Sequence, residues 1–512
     1  MTLHALAGAG ALVDAPSPIS KNRSAALGRL SDQRLFREFA LIGGRWRTAR
    51  SGATVEVTDP ATGEVIGYVP DMGASETRQA IGAAQAAFGP WRSLPPQERS
   101  RIMRAWHDLM MANREDLAIL MTLEQGKPLA ESRGEIDYAA SFVEWFAEEA
   151  KRIDGETPTS HLPNRHMSVR REPVGVTAAV TPWNFPSAMI TRKAAAALAA
   201  GCTMVVRPAS ETPFSALALA ELGERAGIPA GVFSVVTGAP EPIVGELCAN
   251  PLVRAVSFTG STEIGRKLLR QGADTVKRMS MELGGHAPFI LFPDVDLDEG
   301  VEAALAAKFQ TTGQDCLAAN RFFVHADIYE DFVQRFATRV KALKVGNGFE
   351  PGVEVGPLMH ERAVTKCQVH VDDAVSRGAR LLAGGRRRER GGLFYAPTVL
   401  ADADESMAIF QEETFGPVAA VAPFDSEAEV IARANDTEYG LAAYLYTRDH
   451  DRICRMTDAL AYGMVAVNCV KMTGHPIPFG GIKQSGLGRE GGRHGTAEYT
   501  ELKYVCAAYR AA

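Results

Sequence analysis

Between Glu76 and about Ile153, apolar residues recur at spacings of three and four, the period of one helix face. The runs ETRQAIGAAQAAFGPW, PPQERSRIMRAWHDLMMANREDLAILMTLEQG and SRGEIDYAASFVEWFAEEAKRI predict a set of amphipathic helices. The stretch SHLPNRHMSVRREP (160–173) is basic and polar and reads as an extended, hairpin-like segment. After it the pattern changes. Short β-branched runs, VGVTAAV (174–180), TMVVRP (203–208), GVFSVVTG (231–238), RAVSFTG (254–260) and PFILF (288–292), alternate with helical stretches such as ITRKAAAALAAG and TPFSALALAELGERAG. Uniformly apolar strands alternating with helices predict a parallel sheet covered on both faces. A second alternating region starts near Asp296, with a helix to about Phe309, a strand at RFFVHA and a helix from Ile328 to Leu343. Further strands are predicted at RLLAG, APTVL, VAAVAPF and AAYLYT. The final TELKYVCAAYR alternates apolar and polar residues and predicts a strand added to another sheet, in this subunit or a partner.

Four polar, glycine-containing islands interrupt these strands: TPWNFP (181–186), FTGSTEIG (258–265), MELGGHAP (281–288) and TTGQDC (311–316). Loops on a rigid parallel sheet are where binding and catalysis concentrate. Cys316 is the strongest nucleophile on offer if ionised, although a loop cysteine is more often a small hydrophobe. The neighbouring Asp315 disfavours a thiolate unless it points away. Glu282, in an apolar context, suits a general base with a raised pKa, and equally a capping carboxylate. Asn184 can donate its amide to an oxyanion, or simply make a turn. Gly260 and Ser261 stand at a strand end and helix start, a phosphate-binding geometry in which Ser261 also suits a cap. GSTEIGRK lacks the lysine and hydroxyl of a phosphate-binding P-loop, which excludes a nucleotide triphosphatase.

Composition narrows this picture. A chain of 512 residues, 46% hydrophobic and 23% charged, is ordinary for a globular protein and long enough for two or three domains. A net charge of −6 provides no basic field for nucleic acid or an anionic membrane. No run of 18 uncharged apolar residues spans a bilayer. The first thirty residues, rich in Ala, Gly, Ser and Pro, predict a loosely packed arm without the pattern of a secretory signal. Seven cysteines with no CxxC pair and no Cys/His cluster argue against a disulfide framework or a metal site, and for a reducing, cytoplasmic compartment.

The conjunction of TPWNFP, GCTMVVRPAS, SFTGSTEIG, MELGGHAPF, GQDC, EETFGP and PFGGIKQSGLGRE, in this order, closely resembles the aldehyde dehydrogenase superfamily. The resemblance runs from about Phe39 to Tyr509. Within the superfamily it is nearest to succinate-semialdehyde dehydrogenases. It implies an α/β fold: a Rossmann-type parallel-sheet cofactor domain (36–156 and 176–286), a second α/β catalytic domain (287–483), a small β oligomerisation element (157–175 and 484–512) and an N-terminal arm (1–35). It further implies a homodimer or homotetramer, and NAD+- or NADP+-dependent oxidation of a small-molecule aldehyde. In that mechanism Cys316 attacks the carbonyl, Asn184 and the Cys316 N–H hold the oxyanion, and Glu282 activates water to release the acid.

For the cofactor, the resemblance implies Trp183 and Asn184 lining the site, Gly260 and Ser261 near the pyrophosphate, and Leu283, Glu413 and Phe415 around the nicotinamide end. Arg207 and Ser210 would flank the adenine ribose. Ser210, where a glutamate would repel a 2′-phosphate, makes NADP+ acceptable. The substrate side departs from the family pattern. Gln310 stands where an arginine is usual, Asp315 where a threonine is, and His286 where Asn or Leu is. The loop NCVKMTGHPIP brings Lys471 and His475. Arg192 matches the second carboxylate-binding arginine of the family, and Lys471 is a candidate substitute for the first. The alternatives are a neutral aliphatic or aromatic aldehyde as substrate, a cofactor-free cysteine hydrolase, or a non-catalytic protein of the same fold.

Overall fold

The computed structural model describes residues 25–388 and 392–510. Most of the arm expected at 1–35 lies outside them. Its described end is not loosely packed: Leu27, Leu30 and Leu35 are buried, and the Asp116 carboxylate accepts the N–H groups of Ser31 and Asp32 at 2.9 and 2.7 Å. Three leucines across short 3₁₀ turns give this segment an apolar face that the sequence reading missed.

The predicted helical region forms four helices, Ala74–Arg92, Pro96–Ala112, Arg114–Gln125 and Leu129–Glu149. The β-rich remainder forms two large sheets. In the first, five parallel strands lie in the order Arg278–Glu282, Val253–Thr259, Val176–Val180, Thr203–Arg207, Phe233–Val235. Antiparallel edges are added by Ala40–Ile42 with Arg45–Arg47 on one side and by Gly486–Leu487 on the other. The chain moves outward from Val176–Val180 through two strands, then returns to place Val253–Thr259 on the other flank. The carboxyl ends of these two adjacent strands therefore border a topological switch point, the usual ligand crevice of such sheets. Arg278–Glu282 was not foreseen as a strand, because TVKRMSME lacks the β-branched run that marks its neighbours. Gly486–Leu487 fell inside the segment expected for oligomerisation, but it closes the edge of this sheet.

The second sheet runs Arg380–Ala383, Thr398–Ala401, Val418–Phe424, Ala319–His325, Ala287–Leu291, Ala442–Tyr446, Met464–Val467, parallel except at its first edge. Only residues 283–286 separate the last residue of Arg278–Glu282 from the first of Ala287–Leu291. The carboxyl end of the first sheet is thereby held against the amino end of the second. Thr54–Thr58 and Val65–Pro70 form a separate two-stranded ribbon. The basic segment 160–173 turns back on the residues before it as a hairpin does, Val169 and Glu156 exchanging backbone hydrogen bonds of 2.8 Å. Its strand Arg165–Pro173 pairs along its whole length with the terminal strand Thr500–Ala508 of the same chain.

Candidate active site

The joint between the sheets positions the reactive groups. Ala287 and Ala319 are register partners at the start of neighbouring strands. Glu282 lies five residues before one of them and Cys316 three before the other, so the two side chains arrive at the same joint. A Cβ on Gly285 would lie 2.2 Å from the Cys316 carbonyl oxygen, so the close approach of the two loops requires glycine there. A Cβ on Gly486 would lie 2.0 Å from the Met281 carbonyl, which explains the glycine that docks the edge strand beside Glu282.

The loop before Cys316 is strained. Thr311, Thr312 and Gly313 have φ of 49, 60 and 71°, the left-handed region that is unfavourable for threonine by about 1–3 kcal/mol per residue. Surrounding groups fix it. Glu131 accepts the Thr311 N–H at 3.0 Å, Thr312 Oγ1 donates to the Gly356 carbonyl at 3.1 Å, and Gln314 Oε1 accepts the Met359 N–H at 2.9 Å. Asn184 Nδ2 donates to the Gln314 carbonyl at 3.0 Å, joining the Asn184 loop to the Cys316 loop. The Asn184 loop is tethered in turn by buried Lys127, whose ammonium donates to the Asn184 carbonyl at 2.6 Å and to Glu135 at 2.7 Å. Glu135 also accepts the Ser187 and Ala188 N–H groups that open helix Ala188–Ala200. Glu131 and Glu135, on helix Leu129–Glu149, and Lys127, in the connection before it, were invisible in the sequence reading, because charged residues in a helical region look like its solvated face.

Cys316 is buried and lines two cavities. One, of about 450 Å³, opens at the switch point of the first sheet and is walled by Trp183, Asn184, Gly260, Ser261, Glu282, Leu283, Glu413 and Phe415. The Trp183 ring meets Phe415 edge-on at 5.6 Å and His360 edge-on at 5.8 Å. Glu413 accepts the Gly285 N–H at 3.0 Å, and burial pushes its carboxyl up to about 7. Ser210 lies in the wall of an adjoining cavity of about 400 Å³, with His360 common to both. Arg207 donates to Ser210 Oγ at 2.7 Å and to the Gly238 carbonyl at 3.1 Å. His360 faces Glu211 at 3.2 Å, a pair the sequence reading did not pick out. The Gly260 N–H is not free for an anion, as had been expected; it donates to the Glu282 carbonyl at 3.1 Å. The unpaired N–H groups there belong instead to the first turn of helix Thr262–Ala273, capped by Ser261.

Several buried polar atoms at this strand end have no partner: Thr181 Oγ1, Thr259 Oγ1, Asn184 Oδ1 and both carboxylate oxygens of Glu282. Burial pushes the Glu282 carboxyl up to about 8, against the pull of Arg192. Burial likewise pushes the Cys316 thiol well above its ordinary range; Glu282 and Asp315 add to this and Arg192 opposes it.

The other cavity, of about 530 Å³, is walled by Tyr138, Phe185, Met189, Arg192, Asp315, Tyr444, Phe479 and the acidic and basic side chains named above, with exposed Gln310 and Lys471 also lining it. Arg192 is buried rather than a free anion receptor. Its Nε pairs with Glu490 at 2.5 Å and its guanidinium stacks over Phe479 at 4.0 Å. Lys193 pairs with the same Glu490. His286 lines neither cavity. It is buried, hydrogen-bonded through Nε2 to the Phe410 carbonyl at 2.9 Å, and held neutral by burial. Its departure from the family pattern therefore does not reach the substrate. Among the described residues no group of three or more His, Cys, Asp and Glu is placed to hold a metal ion.

Comparison with known proteins bears on this architecture. Residues 46–505 match the model of the aldehyde dehydrogenase family. The chain is 58% identical over 478 residues to an aspartate-semialdehyde dehydrogenase (non-phosphorylating) of Halomonas elongata, covering 93% of this chain and 97% of that one. It is 56% identical, at 93% and 99% coverage, to a succinate-semialdehyde dehydrogenase [NADP(+)] of Escherichia coli. The crystal structure of a succinate-semialdehyde dehydrogenase from Burkholderia pseudomallei superposes with a TM-score of 0.93 at 54% identity, covering 94% of this chain and 100% of that one. With the family model matched over most of its length and relatives above half identity, this chain belongs to the aldehyde dehydrogenase family.

Proposed function

We propose that the chain oxidises a semialdehyde, an aldehyde bearing a carboxylate, to the corresponding acid with NAD+ or NADP+. The observation that carries this is the place of Cys316 in the wall of both cavities, one suited to a dinucleotide and the other to an aldehyde. The first fits a dinucleotide because its buried hydroxyl and amide oxygens stand without partners and a helix N-terminus opens beside it. Trp183, Gly260, Ser261, Leu283, Glu413 and Phe415 would hold the cofactor there, with Arg207 and Ser210 at the ribose farther out. When bound, it supplies the hydride acceptor.

The protein's own groups do the rest. Cys316 Sγ attacks the aldehyde carbon while Glu282, whose raised carboxyl value makes it a stronger base than a free glutamate, accepts its proton. The remaining amide hydrogen of Asn184 and the Cys316 N–H hold the developing oxyanion. Once that proton has passed to solvent, Glu282 takes another from the water that adds to the acyl carbon, and Cys316 leaves as the thiolate and regains a proton as the acid departs. On the substrate side, Lys471 is the cation placed to meet a carboxylate at the opening, with Gln310 beside it as a neutral donor. Arg192 contributes its field, its charge largely matched by Glu490.

The paired strands Arg165–Pro173 and Thr500–Ala508 expose Leu502 and Tyr504, with exposed Tyr509 just beyond, which supports a role in joining subunits into a dimer or tetramer. A cytoplasmic setting is supported by seven unpaired cysteines, one of which must stay reduced to work. No helix among the described residues is long and apolar enough to cross a membrane. The reading is tested by following absorbance at 340 nm with succinate semialdehyde and with butanal, each with NAD+ and NADP+. We expect the charged aldehyde to have the higher kcat/KM, by about tenfold or more for one charge-assisted contact. Equal kcat/KM for the two removes the semialdehyde assignment. Esterase activity with no absorbance rise for any aldehyde removes the dehydrogenase.

A further inference from the structure

The charges around the substrate cavity differ in whether the protein itself satisfies them. Lys127 is held by Glu135 and the Asn184 carbonyl. Glu135 is held by Lys127 and two backbone N–H groups, and Glu131 by the Thr311 backbone. Arg192 is held by Glu490. Three wall charges have no ion-pair partner among the described residues: the Lys471 ammonium, exposed, the Glu131 carboxylate, which accepts the Thr311 N–H, and the Asp315 carboxylate, directly beside the nucleophile. Asp315 Oδ1 accepts the Leu317 N–H at 3.0 Å, which fixes the carboxyl in the wall; burial pushes it above the ordinary carboxylate range, against the pull of that N–H, Lys127 and Arg192, so a cation placed opposite it favours the charged form.

A carboxylate in this position works against the reaction when the cavity is empty, since a negative charge beside a buried thiol opposes its ionisation. A cation arriving opposite Asp315 reverses that effect: it pairs with the carboxylate and lowers the cost of forming the thiolate. The cavity thus presents negative charge close to the reacting carbon and positive charge at the opening. A matching substrate carries both complements, an ammonium that can reach Asp315 and a carboxylate that can reach Lys471.

Resting on the semialdehyde reading above, we propose that Asp315 is a specificity-determining residue that selects aldehydes bearing a protonated amine near the carbonyl, so that the preferred substrate is an amino-acid semialdehyde rather than a plain dicarboxylic one.

The test uses a matched pair, 4-oxobutanoate and 2-amino-4-oxobutanoate, which differ only in the amino group. Their kcat/KM ratio is measured on the same preparation of the full chain, with the better coenzyme, for wild type, Asp315→Asn, Asp315→Thr and Asp315→Glu. The ratio is independent of the fraction of active enzyme, so a poorly folding variant still reports. We expect wild type to favour the amino substrate, Asn and Thr to lower that preference by about tenfold or more, and Glu to retain part of it. A wild type that prefers 4-oxobutanoate, or Asn and Thr ratios within threefold of wild type, overturns the proposal and leaves the semialdehyde reading standing. No turnover of either compound with either coenzyme overturns both.

Discussion

On the switch-point side of Cys316, hydroxyl, amide and carboxylate oxygens are buried without partners; in the cavity on its other side, Lys127, Glu135 and Arg192 are each already matched by an opposite charge. The two walls have different origins. The first is made of strand ends, where the ladder stops and polar groups are released into a crevice. Such atoms are costly to bury unless something completes them, so their concentration at one place marks a ligand site. The second is made largely of helix side chains. There a charge left unmatched would be destabilising, so Lys127, Arg192 and Glu131 are satisfied internally and the field seen by a substrate comes from the few that are not. The difference teaches that the cofactor site is defined by absent partners, and the substrate site by which partners are present.

Breaking the shared wall gives the largest effect. Cys316→Ala should abolish aldehyde oxidation, by more than about a thousandfold in kcat, while dinucleotide binding measured by fluorescence titration persists. Loss of dinucleotide binding together with activity would mean that the two cavities are not separable. Glu282→Gln comes next. Deacylation should slow by about a hundred to ten thousandfold, and because Glu282 also takes the Cys316 proton, the first turnover should slow with it in stopped flow. In wild type the base form of Glu282 grows as pH rises through about 8, so turnover should climb with pH to a plateau above that, and the climb should vanish in the variant. The same raised value has the opposite sign for stability. Between its unfolded value of about 4.5 and about 8 the folded state keeps a proton that the unfolded state has lost, so this group favours folding less as pH rises.

The smallest effect on chemistry, though not on folding, is expected from Glu490→Gln. Removing the carboxylate leaves Arg192 and Lys193 as buried, uncompensated cations, at a cost of about 3–5 kcal/mol in a denaturant titration. If stability is unchanged, Arg192 is free to move to substrate, and the contrast between the two walls fails on that side.

Much of this was legible along the chain, for identifiable reasons. Val176–Val180, Thr203–Arg207 and Val253–Thr259 are buried on both faces, and burial on both faces writes itself as unbroken apolar runs. The islands that follow the first and last of them held Asn184 and Gly260. Arg278–Glu282 was missed because it borders an edge and carries mixed residues, although Glu282 itself was not. Lys127, Glu131, Glu135 and Glu490 were missed because nothing local separates a buried charge from a solvated one; only the packing of distant elements does so. The same limit explains Arg192, whose partner Glu490 lies nearly three hundred residues away, and His286, whose departure from the family pattern looked relevant to substrate until its ring proved to be turned away from both cavities.

The sequence by itself determined that two helix-covered parallel sheets would form, and that a cysteine, a glutamate and an asparagine would stand at their loop ends. Periodicity and residue chemistry are local properties and survive being read in one dimension. Which groups meet, which charges cancel, and that Cys316 lines a cavity at the switch point of the first sheet on one side and a cavity bordered by Asp315 and Lys471 on the other, only the tertiary structure decided. Those facts depend on the four-residue joint between the sheets and on ion pairs closed across hundreds of residues, which no local pattern encodes.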